Sequence, residues 1–331
     1  MAILTSTMPT LIDKFSRQDG TQKIMKIVEL MAKQNDILMD AEYMECNDGS
    51  KHKTTMRSGI PEPAWRMFNQ GIQPSKSTTV PVLDTTGMME DYGVVDKALA
   101  DLSGNADAFR ASENIAKLQG FNNKASRYMF YGNTASEPQA FLGMAPRYND
   151  LSAESGENVV NAGGTGSTNA SIWFITWGEL ATHLLYPKGS VAGFQHRFLG
   201  EQTVRDEDGG DYQAYRDHFK WDIGMSCRDW RANSRVANID VSQLTKDASA
   251  GADLIDLMID AYYRIQNPMQ GEGKTIIYCN RTMQTFLHKQ AMNAKNVNLT
   301  LGEYAGRKIP ELLGIPIKRC DALLNTESRV V

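Results

Sequence analysis

The sequence has little of what usually announces chemistry. Its four cysteines, Cys46, Cys227, Cys279 and Cys320, stand far apart among 331 residues and form no CxxC pair. That excludes a zinc site or disulfide framework of recognisable spacing, and buried, reduced thiols of a cytosolic chain are expected instead. The five histidines, His52, His183, His196, His218 and His288, are not spaced as metal pairs, and no GxSxG-type nucleophile motif accompanies them. No Lys/Arg run marks a grip on nucleic acid, and the net charge is −4, so a repressor-like or polymerase-like role loses weight. No apolar stretch approaches the roughly 20 residues of a bilayer span. The opening MAILTSTMPTLIDKF lacks the basic start and apolar core of a secretion signal.

The glycine-rich stretch Asn161–Ala170, NAGGTGSTNA, fails as a phosphate cradle. A P-loop needs GxxxxGK[ST], and no lysine occurs between Asn149 and Lys188. Gly164-Thr-Gly166 has no third glycine for a dinucleotide fingerprint. The following SIWFITW reads as a strand, so a mobile connecting loop is expected. Arg205–Asp211, RDEDGGD, misses the calcium-loop register, because Gly210 and Asp211 fall at positions five and six counted from Asp206. It reads as a hairpin turn. No catalytic, cofactor-binding or metal-ligating residue is assigned, and no cofactor is expected.

With 41% hydrophobic and 22% charged residues the composition is that of a folded protein, long enough for more than one sub-domain. Residues 1–36 carry a helical face of Ile24, Ile27, Val28 and Met31, which needs a partner surface. Between 50 and 100, Pro61, Pro63, Pro74 and Pro81 break a Thr/Ser-rich stretch and argue for extended, edge-like β structure. That stretch is too poor in apolar residues to fold alone, and a projecting arm that finds its core on a neighbour accounts for it. Asn105–Tyr131 reads as one long helix with a single stripe through Ala108, Ala111, Ile115, Leu118, Asn122, Ala125 and Met129, capped by Asn105 and ended by Gly132. At 1.5 Å per residue it is about 40 Å long.

Tyr215–Cys227 alternates as a strand, with Phe219, Trp221, Ile223, Met225 and Cys227 on the apolar face. A second strand near Arg235–Val241 is expected to pair with it. Ala252–Gln266 is a helix with Leu254, Met258, Ala261 and Ile265 inward. Lys274–Cys279 is a buried strand, Asn280 starts another helix, and after a polar loop GIPIKRC forms a final strand.

Three stretches together resemble the major capsid proteins of tailed bacteriophages, with the Hong Kong 97-type capsid fold. The long helix ending YMFYGN before EPQAFLGM (Glu137–Met144) is similar to the family's spine helix. The proline-broken stretch before it stands where the family has its extended E-loop. TIIYCNRTMQTFLHKQ leading to ELLGIPIKRCDALLN (Thr275–Asn325) is similar to its axial domain. The resemblance implies an α+β fold: an N-terminal arm at 1–49, an extended β E-loop at 50–100, a peripheral domain at 101–250 with spine helix 105–131 and strands 212–241, and an α/β axial domain at 251–331. Because strands 212–241 precede Gly314-Ile-Pro316, it implies a rearranged, permutation-like topology.

By that resemblance the chain is no enzyme. It is a structural head protein that self-assembles, as pentamers and hexamers, into an icosahedral shell around double-stranded phage DNA held non-specifically. Expected partners are the chain itself, a scaffolding protein, a portal and a cement or decoration protein, with no membrane. Expected locations are the virion and, during assembly, the host cytoplasm. A bacterial nanocompartment shell and a nucleotide-binding α/β enzyme are the alternative readings.

Overall fold

The computed structural model of the protein describes Pro9 and residues 35–102, 105–206, 208–246, 251–266, 273–293, 299–304 and 307–331. The helical face at 24–31 lies outside the described residues. Contacts divide the described chain into two compact units, one gathering Met88–Ser126 with Gly193–Asp222, the other Asn35–Gly87, Arg127–Ala192 and Ile223–Val331.

The larger unit is a mixed sheet covered by helices. Its centre is Asn169–Trp177 (β5), buried at every position, which is why SIWFITW reads as a nearly continuous apolar run. β5 runs antiparallel to Lys274–Cys279 (β10), with Phe174 opposite Ile277, and antiparallel to Ser234–Asp240 (β9). β9 runs parallel to Val159–Asn161 (β4). β10 is parallel to Ile315–Arg319 (β13). Beyond β13 lie two antiparallel strands, Arg307–Leu312 (β12) and Leu299–Tyr304 (β11). Leu313 and Gly314 link β12 to β13 with φ of 50° and 81°, the signature of a two-residue type I′ turn. On the other flank, Thr182–Tyr186 (β6) pairs with the end of Asp211–Cys227 (β8) and, in parallel, with Tyr43–Glu45 (β1).

Two helices cover one face of β5. Leu254–Arg264, capped by the Asp253 carboxylate on two backbone N–H groups, and Arg281–Asn293, whose Met283 N–H bonds Asn280 Oδ1 at 2.9 Å, place Leu254, Met258, Ala261, Met283 and Leu287 against Ile172, Phe174, Val236 and Ile277. On the opposite face Trp173 packs between Phe130 and Tyr148, with ring centroids 6.0 and 5.8 Å away.

The smaller unit joins the end of strand Thr78–Asp96 (β3), the short helix Lys97–Asp101 and the first part of helix Ala106–Tyr131 to a hairpin of Phe194–Arg205 (β7) with β8. The Asp206 carboxylate closes that hairpin by accepting from Gly210 N–H at 2.6 Å, so RDEDGGD is a turn. Arg110 forks onto Asp217 at 2.9 and 3.2 Å, and Phe194 packs against Phe121 and Phe219.

Four expectations need correction. β9 does not pair with β8; it lies between β4 and β5, because Val236, Ala237 and Ile239 are wholly buried there. The face of β8 expected to be wet is buried at its end, with Ser226 0% exposed, because β6 and the residues around Thr85 flank it there. The stripe of the long helix is covered only at Ala125 and Met129. Ile115 and Leu118 are 52% and 44% exposed, since in the first turns Phe109, roughly opposite the stripe, takes the inward position. The polar loop after Asn293 holds strand β11, paired with β12. The hairpin β7–β8 precedes Gly314-Ile-Pro316 along the chain, the connection order read above as rearranged.

Candidate functional site

The proline-broken segment is an arm of two antiparallel strands, Lys51–Gly59 (β2) and the first part of β3, running from Lys51 opposite Thr85 to Gly59 opposite Thr78. β3 is 19 residues long and contains Pro81, within the extended, edge-like β structure expected of this stretch. The register explains the tolerance. Thr86 N–H bonds Ser50 O at 3.0 Å, so hydrogen-bonded pairs alternate from there and Pro81, opposite Thr55, falls where β2 requires no N–H.

Between the strands, residues 60–77 form no regular structure and carry Ile60, Trp65, Met67 and Phe68 at 86%, 103%, 67% and 96% exposure. Four large apolar side chains bared within nine positions mark an interaction surface.

The root of the arm is locked. Asp84, buried, accepts from Arg147 Nη2 and from Ser226 Oγ, each at 2.7 Å. Arg147 also reaches the carbonyls of Leu142 and Met225. β8 crosses so closely that a Cβ at Gly224 would meet Thr85 O at 2.8 Å. His52 of β2 and His183 of β6 meet edge to face, centroids 5.6 Å apart. Burial pushes the His183 imidazole down to about 4 and lowers that of His52 as well, so both rings are neutral at pH 7.

A second buried polar cluster sews in the C-terminal tail. Arg235 donates to Glu327 and to Tyr148 O at 2.8 Å and lies over the Trp173 ring at 4.8 Å. Glu327 also accepts from Tyr131 and Ser171, and burial pushes the Tyr131 hydroxyl above its ordinary value. Asn238 Nδ2 donates to Val330 O at 2.8 Å.

The motifs singled out in the sequence do not converge. NAGGTGSTNA is bound along β9, with Ala162 and Gly164 N–H bonding the carbonyls of Ala237 and Asn238. A Cβ at Gly164 would sit 2.5 Å from Asn238 O. The first part of the connector is therefore held to β9, where the glycine permits close backbone approach. His196 pairs with Asp217 at 2.8 Å, His218 stacks on Tyr92, and His288 lies on the helix Arg281–Asn293. All four cysteines are free and buried, with the thiols of Cys279 and Cys320 pushed up to about 12 by burial. Among the described residues no His/Cys/Asp/Glu group is arranged to hold a metal ion, and no helix is long and apolar enough to cross a membrane. The juxtapositions of Asp84 with Arg147 and of Arg235 with Glu327 span 63 and 92 residues, and no local pattern announces them.

A locked root, a bared apolar tip and polar clusters consumed in structural bonds suit binding to other chains. A chain of the bacteriophage JBD30 capsid shares the architecture: 8% identity, TM-score 0.51, covering 88% of this chain and 91% of that one. The fold is therefore the Hong Kong 97-type capsid fold. The chain belongs to the family Major capsid protein GP7, whose model matches residues 19–331. It is 59% identical to a chain of the bacteriophage Epsilon15 structure, with a TM-score of 0.78 and 100% and 99% of the two chains covered. No curated protein sequence matches it. The protein is a structural component of the virion that assembles with copies of itself, and it is not an enzyme.

Proposed function

We propose that the chain forms pentamers and hexamers that tile an icosahedral shell around double-stranded DNA. The arm carries this reading. A monomer leaves Trp65 and Phe68 in water, whereas a ring of copies lets each arm lie on its neighbour, and a heterologous contact repeated under rotation closes a ring. Many modest contacts of this kind hold a shell that no single contact would.

In this reading the arm is residues 50–100, and helix 105–131 with the β7–β8 hairpin forms the periphery of each tile. Residues 251–331, together with the strands β4, β5 and β9 that complete their sheet, gather at the five-fold and six-fold axes. Relative to other members of the fold class the connection order is rearranged. With net charge −4 and no Lys/Arg run in the sequence, the subunit holds packaged DNA non-specifically. Assembly takes place in the host cytoplasm and draws on a scaffolding protein and a portal, with a cement protein as a further partner. Electron microscopy of particles from cells expressing the chain with its scaffold tests this: closed shells with five- and six-fold capsomers are expected, and open sheets, tubes or discrete small oligomers overturn it.

A further inference from the structure

Four side chains, one from each of four strands, close a ring at the root of the arm. His52 stands opposite Asp84 where β2 pairs with β3. His183 stands opposite Ser226 where β6 pairs with β8. The two pairs are joined twice: Ser226 Oγ donates to Asp84 at 2.7 Å, and the His52 and His183 rings meet edge to face. The joints differ in kind. At the first, the other Asp84 oxygen accepts from Arg147 at 2.7 Å, so its charge is met. At the second, His52 Nδ1 and His183 Nε2 are buried without a hydrogen-bond partner among the described residues. His183 Nδ1 faces Gly178 O at 3.4 Å.

We propose that the histidine joint is an acid-sensitive latch: protonation parts His52 from His183 and loosens the root of the arm, while the Asp84 joint and the sheet beneath it stay closed. A proton added to either ring is poorly met. From β3, Asp84 attracts it, but that carboxylate is already shared between Arg147 and Ser226. From the end of β8, the Arg228 cation opposes charge on both rings. From the end of β1, Cys46 offers a neutral thiol, pushed up to about 11 by burial and by the charges of Asp84 and Glu45. A second proton would set two cations edge to face in a buried site, and an unpaired buried charge is costly. Opening the joint returns both rings to water. The open state therefore takes up protons near the ordinary 6.5, whereas closed His183 does so at about 4. Loosening begins as pH falls below about 6.5 and grows until about 4. Near neutrality the arm has one direction on the body; in acid it is tied there by Asp84 alone.

Thiol labelling of the unassembled subunit tests the latch. Cys46 is 2% exposed, and Cys279 at the end of β10 and Cys320 after β13 are buried in the body. The probe is 4,4′-dithiodipyridine, which reacts in acid, with each rate taken relative to a free thiol at the same pH. Between pH 7.5 and 4.5 the Cys46 rate should rise about 70-fold from His183 alone, while Cys279 and Cys320 stay protected. An unchanged Cys46 rate overturns the proposal. So does a joint rise of all three thiols, which is unfolding of the body. His52→Phe with His183→Phe keeps two rings in contact without their protons and should hold Cys46 closed at pH 4.5; labelling as fast as in the parent overturns it. A second measurement needs no variant to fold. Histidine Cε1 resonances of the parent chain, followed from pH 7.5 to 4, should include titrations well below 6.5, and none below the ordinary range overturns the proposal.

Discussion

At the scale of single residues, the buried pair Arg235–Glu327 makes the sharpest energetic claim. Both side chains are under 5% exposed. Arg235→Met leaves the Glu327 carboxylate without its cation and should cost about 3–5 kcal/mol, read as a fall in the urea midpoint of the isolated subunit. Adding Glu327→Leu removes the orphaned charge and should restore much of the loss; a double variant no better than the single would refute the account. His183 carries a pH claim. Its proton affinity is depressed on folding, so its full contribution is present above the ordinary histidine range near 6.5 and is lost as pH falls toward about 4. The lowered His52 acts in the same direction. The expected loss on going from pH 7.5 to 4 is on the order of 3 kcal/mol from His183, and His183→Phe should flatten the melting temperature over that interval. Little of this was legible in the sequence. Spacing rules exposed the lack of a metal or nucleophile motif, but His52 and His183 are 131 positions apart and only the pairing of β6 in the sheet brings them together.

At the scale of elements, legibility followed the range of the interactions. The long helix declared itself because its cap is local: Ala108 N–H bonds Asn105 Oδ1 at 3.0 Å. The turn at Asp206 and the helix at Asn280 are local in the same way. Strand partners were not legible. β8 and β9 are adjacent in sequence and invited pairing, yet β9 pairs with β5 some sixty residues earlier, where an apolar strand is buried on both faces. The arm was legible through its prolines but the anchoring of its root was not, since Asp84 finds Arg147 and Ser226 only in the fold. Trp221, 7% exposed and edge-on to Phe194, tests the hairpin β7–β8. Trp221→Asp places a carboxylate in that aromatic cluster and should lower subunit stability by several kcal/mol; an unchanged melting temperature would show that the cluster is not what holds the hairpin. Replacing residues 60–77, by contrast, touches no buried side chain and should leave the melting temperature of the subunit within a degree or two while abolishing closed shells.

At the scale of the whole molecule, the proposed ring, in which each copy gives its arm to one neighbour and receives the arm of another, would make assembly directional. Each copy in a ring is donor once and acceptor once. In that ring a chain without residues 60–77 can still receive a neighbour's arm, but it gives nothing to the next copy. When parent and tip-deleted chains are co-expressed, a ring is intact only if every member is a parent chain. For the proposed six-membered ring at equal expression the intact fraction is about 2%, from one half raised to the sixth power. Closed-shell yield should therefore collapse steeply as the deleted chain is titrated in, far below the proportion of parent chain present. If tips merely added independent increments of adhesion, yield would fall gradually with the deleted fraction. Negative-stain counts of closed particles against the measured chain ratio separate the two, and a proportional decline would remove the directional arm from the account of how the shell closes.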